Sequence, residues 1–288
     1  MKPRDKFTGV VVAALLTSAP AVLLTSSAGA VSTAAHFARF CRSSAHPALA
    51  ARLTRDIQAA QHGRVSVVAV RVADPRKRLG CWLHGSWHFD SASVVKVTIL
   101  AALLRKTLDH HRYLTGTEAA LASAMITRSD NDAATALWAE LGRGHIEHFL
   151  RLARMKQTVL GPGGYWGLTQ ITAHDEMRLL HLLLTKNAVL DRRSRAYALR
   201  LMAQVLPSQR WGVPAGAPPR LGVHLKNGWL PLPAHGWRVH SIGCFTGRGG
   251  YSIVVLTQDN PTMAYGIRTI EALAEAIHHD LNSRAPEG

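Results

Sequence analysis

Strand-like segments occur at both ends of this chain with helix-like segments between them, and this distribution constrains the fold more than any other feature. Near the N-terminus, residues 65–72 alternate and are rich in β-branched residues, and residues 79–84 follow an Asp-Pro turn. Near the C-terminus, similar runs cover residues 221–226, 237–245 and 251–258. We expect these segments to form one antiparallel sheet, because short turns join antiparallel neighbours.

The apolar periodicity of the remaining chain predicts helices. They cover residues 47–61, 93–106, 117–126, 132–141, 145–155, 172–184, 191–205 and 267–281. The first and last would flank the sheet, and the others would form a second lobe. The predicted fold class is therefore α+β, with an α/β lobe at about residues 45–92 and 212–285 and a helical lobe at about residues 93–211.

Residues 1–30 have the pattern of an export signal. Three basic side chains lie among the first six residues, residues 10–24 are mostly apolar, and the segment ends in an Ala-x-Ala site. Polar residues interrupt the apolar stretch, which makes it short for a membrane span. We predict a signal peptide over residues 1–30 that is removed on secretion to the exterior or cell envelope, and one domain over residues 31–288. An uncleaved membrane anchor is the alternative.

The composition indicates a globular and strongly basic protein. Hydrophobic residues make up 47% of the chain, which is enough for a substantial core. A net charge of +16 would attract an exported protein to anionic cell-envelope polymers, although a solvated basic surface without such a site is the alternative. The sequence has no nucleic-acid-binding motif, so we expect no nucleic-acid partner. We expect a monomer.

Cysteine and histidine usage bears on disulfides and metals. The chain has three cysteines: Cys41, Cys81 and Cys244. In an exported protein one pair can be oxidised, and we favour Cys41–Cys81, which would join the N-terminal segment to the first hairpin. Cys244 lies on a predicted strand and is expected to be a buried small hydrophobe. The 16 histidines form no His-Glu-x-x-His motif, so we predict no metal and no cofactor.

Ser93 and Lys96 form the first candidate catalytic pair. They are three residues apart at the start of a predicted helix, so their side chains can share one face. A serine hydroxyl needs a neighbouring base, and a lysine can be that base if burial and nearby charge lower its pKa. If Ser93 opens the helix, its own N–H can point at a developing oxyanion. A solvated pair on a helix surface is the alternative.

Two further motifs follow in chain order. Ser129-Asp130-Asn131 separates two predicted helices, and Lys226-Asn227-Gly228 ends a strand-like run. Each has a purely structural interpretation, because the first is a good helix-capping sequence and the second is a good tight-turn sequence. Their order after the Ser-x-x-Lys pair favours a functional interpretation.

This ordered set resembles the Ser-x-x-Lys, Ser-Asp-Asn and Lys-Thr-Gly motifs of class A β-lactamases and penicillin-binding proteins. From about residue 45 to its end, the chain is similar to the class A β-lactamase-like serine hydrolases. The resemblance implies an active cleft between the two lobes. It also implies an acyl-enzyme mechanism on small substrates, namely β-lactams or acylated D-amino-acid peptides, without a cofactor.

The resemblance assigns three catalytic roles. Ser93 would be the nucleophile, and Lys96 would take its proton or hold the group that does. Ser129 would relay a proton to the leaving nitrogen. Asp130 is more plausible as a residue that orders the loop than as a substrate contact.

Five further positions would bind substrate. Asn131 would contact the substrate amide carbonyl, and Lys226 would attract a substrate carboxylate. Asn227 stands where threonine is usual, and its amide can donate to that carboxylate. Gly228 would allow close approach of the strand, and the backbone N–H of Trp229 would be the second oxyanion donor.

One departure limits the predicted activity. Class A β-lactamases carry a loop glutamate that activates the deacylating water, whereas residues 151–172 here contain no Asp or Glu. Asp175 and Glu176 have the positions of first-turn helix residues favoured by the dipole. The sequence therefore predicts an exported serine hydrolase for which fast β-lactam hydrolysis does not follow. A slow β-lactamase, a penicillin-binding hydrolase or transferase acting on peptidoglycan-like peptides, and an amidase or esterase are all open. A non-catalytic, degenerate cell-envelope binding protein of the same fold is the alternative, and a basic polymer-adhering protein is a third hypothesis.

Overall fold

The computed structural model describes residues 39–283, so the predicted signal peptide lies outside the described residues. The strands are β1 Cys41–Ser43, β2 Val67–Asp74, β3 Leu79–Leu83, β4 Phe89–Asp90, β5 Gln170–Ile171, β6 Gly222–Leu232, β7 Gly236–Thr246 and β8 Tyr251–Asn260. The α-helices are α1 Pro47–Gln61, α2 Val95–Asp109, α3 Gly116–Thr127, α4 Asn131–Ala153, α5 Ala173–Leu184, α6 Arg192–Ala203 and α7 Met263–Asn282.

Six of the strands form one antiparallel sheet in the order β1-β3-β2-β8-β7-β6. Its N-terminal and C-terminal parts meet where β2 pairs with β8, with Val70 opposite Val255. The sheet therefore combines strands from both ends of the chain, and the predicted α+β fold class is confirmed. The arrangement leaves β1 and β6 as the two edge strands.

Two clusters of buried side chains cover the two faces of this sheet. On one face α1 and α7 contribute Leu53, Ile57, Ile270 and Leu273 to a single apolar cluster. The other cluster contains α2 and the helices around it, together with sheet residues such as Ile242. Because α2 is apolar on nearly all sides, it lies in the interior of the helical lobe. Its N-terminus carries the Ser-x-x-Lys motif to the boundary between lobe and sheet.

A disulfide joins Cys41 on β1 to Cys81 on β3, which confirms the pairing expected from the sequence. The two residues face each other in the β1–β3 ladder. Within residues 39–283, Cys244 is the free cysteine, and it is buried. Burial raises the pKa of its thiol to about 12, so the thiol is inert at neutral pH.

Several elements differ from those predicted from the sequence. α4 is one helix with a kink at Gly142, where φ is 64°, instead of two separate helices. The short strands β1, β4 and β5 contain too few residues to show periodicity in the sequence. β6 continues to Leu232, so the predicted strand end at residue 226 is wrong and Lys226-Asn227-Gly228 lies within the strand.

The described chain has neither a membrane-spanning helix nor a cluster of metal-ligating side chains. No helix between residues 39 and 283 is long and apolar enough to cross a bilayer. In the same range, no group of three or more His, Cys, Asp or Glu side chains is arranged to hold a metal ion. The expectations of a monomer without metal or cofactor stay predictions.

Candidate active site

Ser93 lies in a single 3₁₀ turn, Ala92–Val94, that leads into α2. It precedes α2, which begins at Val95, and it follows Ala92, whose φ of 46° lies in the left-handed region. Such left-handed backbone at a non-glycine residue is often found at functional sites, where the surrounding structure holds it. Here the buried Ser91 anchors the turn by donating its N–H to Thr169 O at 2.8 Å.

The residues before this turn are fixed by β7. His240 Nδ1 accepts the Thr257 N–H at 3.1 Å, so Nε2 carries the proton and donates to Asp90 O at 2.8 Å. Burial lowers the pKa of His240 to about 4, which keeps the ring neutral at pH 7. Arg238 Nε donates to Asp90 Oδ2 at 3.1 Å. Both the main chain and the side chain of Asp90 are therefore held.

Lys96 lies in the first turn of α2 and is completely buried. Its Nζ donates to Ser129 O at 2.6 Å, to Ser129 Oγ at 3.2 Å and to Asn131 Oδ1 at 2.7 Å. Burial lowers the pKa of Lys96 to about 8, although the Asp130 carboxylate acts in the opposite direction. Within the described chain no hydrogen bond joins Lys96 Nζ to Ser93 Oγ, so the expectation that the two groups can meet stays a prediction.

Ser129 lies between two lysines. Its hydroxyl accepts hydrogen bonds from Lys96 Nζ at 3.2 Å and from Lys226 Nζ at 2.9 Å. It adopts a φ of 57° in the loop before α4. The next residue, Asp130, caps α4 by accepting the Ala133 N–H at 2.8 Å. The helix-capping role of the motif therefore belongs to Asp130, which fixes the loop and leaves Ser129 free to contact the lysines.

Lys226 extends from the edge strand β6 and is completely buried. Besides Ser129 Oγ, its Nζ contacts Asn227 O at 2.7 Å. Burial, and then the charge of Lys96, lower the pKa of Lys226 well below its usual value. Because two ammonium groups that share one hydroxyl repel each other, loss of a proton from one stabilises the charge on the other.

The strand β6 passes close to the Ser93 turn at Gly228. A Cβ atom at this position would lie 2.9 Å from both Ser93 N and Val94 N and 3.0 Å from Ser91 O. These neighbours are backbone atoms, so a side chain fits only if the strand moves. Since β6 is an edge strand, alternate N–H groups have no ladder partner. Trp229, the next residue, is half-buried at this edge.

Asn227 is not directed into the cleft. Its side chain is 1% exposed, and its Nδ2 donates to Gln209 O at 2.8 Å and to Trp211 O at 2.9 Å. These bonds hold the irregular segment before β6. The expectation that its amide donates to a substrate carboxylate is therefore wrong for this structure. Successive side chains of a strand face opposite sides, and Lys226 takes the cleft side.

Trp166 joins the site from the glycine-rich loop, although no motif marks it in the sequence. Its ring centroid lies 4.8 Å from Lys96 Nζ, and its Nε1 donates to Thr135 Oγ1 at 3.1 Å. The same loop is tied to the nucleophile turn, because Ser91 Oγ donates to Gly167 O at 3.3 Å. An aromatic face attracts a cation, so the indole favours a charged Lys96.

Asp175 and Glu176 lie in the first turn of α5, as predicted, and the Thr172 side chain caps this helix. Asp175 Oδ2 accepts hydrogen bonds from Gln157 N at 2.8 Å and from Thr158 Oγ1 at 2.9 Å. Glu176 is completely buried, and its carboxyl oxygens have no hydrogen-bond partner among the described residues. Burial raises its pKa well above the usual range. Neither carboxyl group forms a hydrogen bond with the residues around Lys96.

The antiparallel sheet, with a Ser-x-x-Lys helix beside its edge strand, defines the class of β-lactamase-like serine hydrolases. A family model described as the β-lactamase enzyme family matches residues 115–281, a span that includes Ser129 and Lys226 but starts after Ser93. The chain belongs to the β-lactamase enzyme family. No curated protein sequence matches it.

Solved structures share the fold at low sequence identity. A class A β-lactamase from Bacteroides cellulosilyticus DSM 14838 is 17% identical with a TM-score of 0.71, and the match covers 81% of this chain and 98% of that chain. The TLA-3 extended-spectrum β-lactamase is 15% identical with a TM-score of 0.72, covering 80% and 98%. PBP-A is 17% identical with a TM-score of 0.68, covering 80% and 95%. At these identities the likeness shows the fold alone.

Proposed function

We propose that this protein is an exported active-site-serine hydrolase, acylated at Ser93 by β-lactams or by acylated D-amino-acid peptides. The observation that carries the proposal is the convergence of two buried lysines, from α2 and β6, on the Ser129 hydroxyl. Neither amine has an ion-pair partner among the described residues. Burial of two unpaired amines opposes folding, and such groups are typical of catalytic sites that need lowered pKa values.

In the proposed acylation, Ser93 Oγ attacks the substrate carbonyl carbon while its proton passes to neutral Lys96. Lys96 can reach Ser93 by exchanging one hydrogen bond to Ser129, because residues three apart share a helix face. In structures without substrate, the hydrogen bonds between catalytic groups are often long or absent and form only when substrate binds. With a pKa of about 8, roughly a tenth of Lys96 is neutral at pH 7.

The acylation is completed by oxyanion stabilisation and departure of the leaving group. The N–H groups of Ser93 and Trp229 would donate to the oxygen that becomes negative in the tetrahedral intermediate. As the carbon–nitrogen bond breaks, Ser129 would donate its proton to the leaving nitrogen and recover one from Lys96. The Ser129 hydroxyl lies within hydrogen-bond distance of Lys96 Nζ, which supports this role.

The substrate contacts follow from the same geometry. Lys226 supplies positive charge for a substrate carboxylate, and its bond to Ser129 supports that position. Asn131 uses Oδ1 to accept from Lys96, so its Nδ2 can donate to a substrate amide carbonyl. Gly228 lets the substrate approach the edge of β6. Asn227 is omitted from the proposed contacts because its amide is engaged elsewhere.

Slow deacylation is the second part of the proposal. Residues 151–172 offer no carboxylate, and the loop instead presents the Trp166 ring to Lys96. An indole cannot act as a general base toward water, so the acyl-enzyme would be long-lived. A mutant of PBP-A, one of the structures with this fold, is described as an acyl-enzyme complex with penicillin G. We infer penicillin-binding behaviour for this chain by analogy with it.

A non-catalytic binding protein of the same fold is the second candidate. It is favoured by the buried amide of Asn227 and by the missing hydrogen bond between Ser93 and Lys96. We also propose that the protein acts as a monomer outside the cytoplasm after removal of residues 1–30. Its net charge of +16 would draw it to anionic cell-envelope polymers.

The test is the intact mass of the protein, lacking residues 1–30, after mixing with excess penicillin. We expect one added penicillin on the wild type and on Ser44→Ala, an exposed control serine, but none on Ser93→Ala. We expect the adduct to decay slowly, because residues 151–172 contain no carboxylate that could activate the deacylating water. No adduct with any of several β-lactams, esters and amides would reject the enzyme in favour of the binding protein.

A further inference from the structure

A cavity of about 1010 Å³ lies between α5, the end of β2 and the β7–β8 hairpin, and we name it the α5 groove. Its described lining residues include none of the proposed catalytic residues. Thr246 in its wall is six residues along β7 from His240, which faces Gly228 across the ladder. At about 3.3 Å per residue, the groove lies about 20 Å from the Gly228–Ser93 contact.

The α5 groove is strongly positive. Five cationic side chains line it: Arg71, Arg76, Arg154, Lys156 and Arg178. None of these cations belongs to an ion pair among the described residues. Asp175 is the single carboxylate in the described lining, and it already accepts two hydrogen bonds, from Gln157 N and Thr158 Oγ1. The protein therefore leaves most of this positive charge uncompensated.

The cations of the groove lie on different elements, and two of them, Arg71 and Arg178, affect the same histidine, His174. Arg71 on β2 donates from Nη1 to Cys81 O at 3.0 Å, while its buried Nε has no hydrogen-bond partner within residues 39–283. The pKa of His174 on α5 is lowered by burial and by the charges of Arg71 and Arg178, against the effect of Asp175. Like charges held together oppose folding, and a bound anion relieves this repulsion.

We propose that the α5 groove binds a linear, phosphate-rich polyanion. Four of its five cations are arginines, whose planar guanidinium matches phosphate oxygens in bidentate geometry. The cavity volume is at the upper end of the range for small-ligand sites, about 300–1,000 Å³. Five cations on several elements exceed what one phosphate group can engage, so several phosphate groups along a chain fit better.

The aromatic residues of the groove argue against nucleic acid as the polymer. Single-stranded nucleic acids bind through bases stacked on exposed aromatic rings. Phe245 and Tyr251 line the groove, but they are only 1% and 2% exposed. Backbone phosphates would find cations here, whereas the bases would find no stacking surface. A polymer bound at this distance would hold the enzyme in place and leave the Ser93 cleft open.

The test is fluorescence polarisation of a labelled inorganic polyphosphate chain titrated with the protein, at salt concentrations from about 50 to about 200 mM. Lys156→Glu/Arg178→Glu reverses two exposed groove charges that make no ion pair. Arg55→Glu/Arg268→Glu is the matched control, because it changes the net charge equally at exposed positions on α1 and α7. Thermal unfolding of each variant establishes that it is folded.

We expect the groove variant to bind polyphosphate at least about tenfold more weakly than the wild type, since each charge-assisted contact contributes about tenfold. The affinity of the control variant should stay within about threefold of the wild type, because charges farther from the groove than a Debye length of about 10 Å are largely screened. Equal weakening of both variants, or of neither, would overturn the groove as the binding site. Tighter binding of polyglutamate or single-stranded DNA, or binding confined to anionic lipid vesicles, would overturn the phosphate-polymer assignment.

Discussion

Two buried lysines share the Ser129 hydroxyl, and their protonation decides when the proposed site can react. Nucleophile activation needs neutral Lys96, whereas attraction of a substrate carboxylate needs charged Lys226. Burial lowers the pKa of both amines, and the repulsion between them makes the loss of the first proton easier than the loss of the second. The repulsion therefore favours one charged and one neutral amine over two charged amines.

The rate of acylation should rise with pH through the pKa of Lys96, about 8. Below that value the rate constant for penicillin acylation should fall about tenfold per pH unit, because only the neutral amine accepts the Ser93 proton. The measurement is the second-order rate constant from pH 6 to 9, followed by intact mass. A flat profile, or one that falls with rising pH over this range, would reject Lys96 as the base.

Trp166 should control how long the acyl-enzyme survives. Trp166→Glu places a carboxylate in the loop beside Lys96, and a general base typically contributes about 10²–10⁴-fold. We expect adduct decay at least about tenfold faster than in the wild type, with Trp166→Gln as the control that lacks a base. If the two variants release penicillin at the same rate, the indole does not occupy the place of a deacylating base.

At the residue scale, motif order located the lysines and Ser129 but not the direction of every side chain. Asn227 is adjacent to Lys226 in the sequence, yet strand alternation turns its amide toward Gln209 and Trp211. A motif alone does not show which face of a strand lies in a cleft. The contact of Trp166 with Lys96 could not be predicted either, because the glycine-rich loop has no periodicity that shows where its side chains lie.

At the scale of elements, the essential contact is between the edge strand β6 and the 3₁₀ turn before α2. Backbone atoms of the two elements meet at Gly228 without an intervening side chain. This contact brings the N–H of Ser93 near the edge of the strand that also carries Trp229. The bounds of α1 follow from its apolar spacing, whereas the length of β6 does not, because Lys-Asn-Gly is equally typical of a turn.

Gly228→Ala should impair acylation much more than folding. The added Cβ would lie 2.9 Å from two backbone nitrogens of the Ser93 turn, so strand and turn must separate. A displacement of about 1 Å in an active site can reduce the rate about 10²-fold. Gly144→Ala is the matched control, since no atom lies within 4 Å of its new Cβ. Equal acylation rates in both variants would reject the close contact as a functional requirement.

At the scale of the whole molecule, the proposed catalytic site and the disulfide lie at opposite edges of one sheet. β6 carries Lys226 at one edge, and β1 carries Cys41 at the other, with four strands between them. Five strand spacings of about 4.8 Å separate the two by about 24 Å. The sheet could be predicted because its longer strands are runs rich in apolar residues, but three-residue β1 could be placed only through its cysteine.

The disulfide should therefore stabilise the fold without affecting the chemistry. Its cysteines are 40 residues apart, and closing a loop of that size in the unfolded chain typically stabilises by about 2–4 kcal/mol. We expect Cys41→Ser/Cys81→Ser to lower the free energy of unfolding in urea by that amount. Penicillin acylation at 20 °C should remain within about twofold of the wild type, because strands β3, β2, β8 and β7 separate β1 from β6 and hold β6 in place. Loss of acylation in a variant that is still folded would show that the two edges are coupled through the sheet.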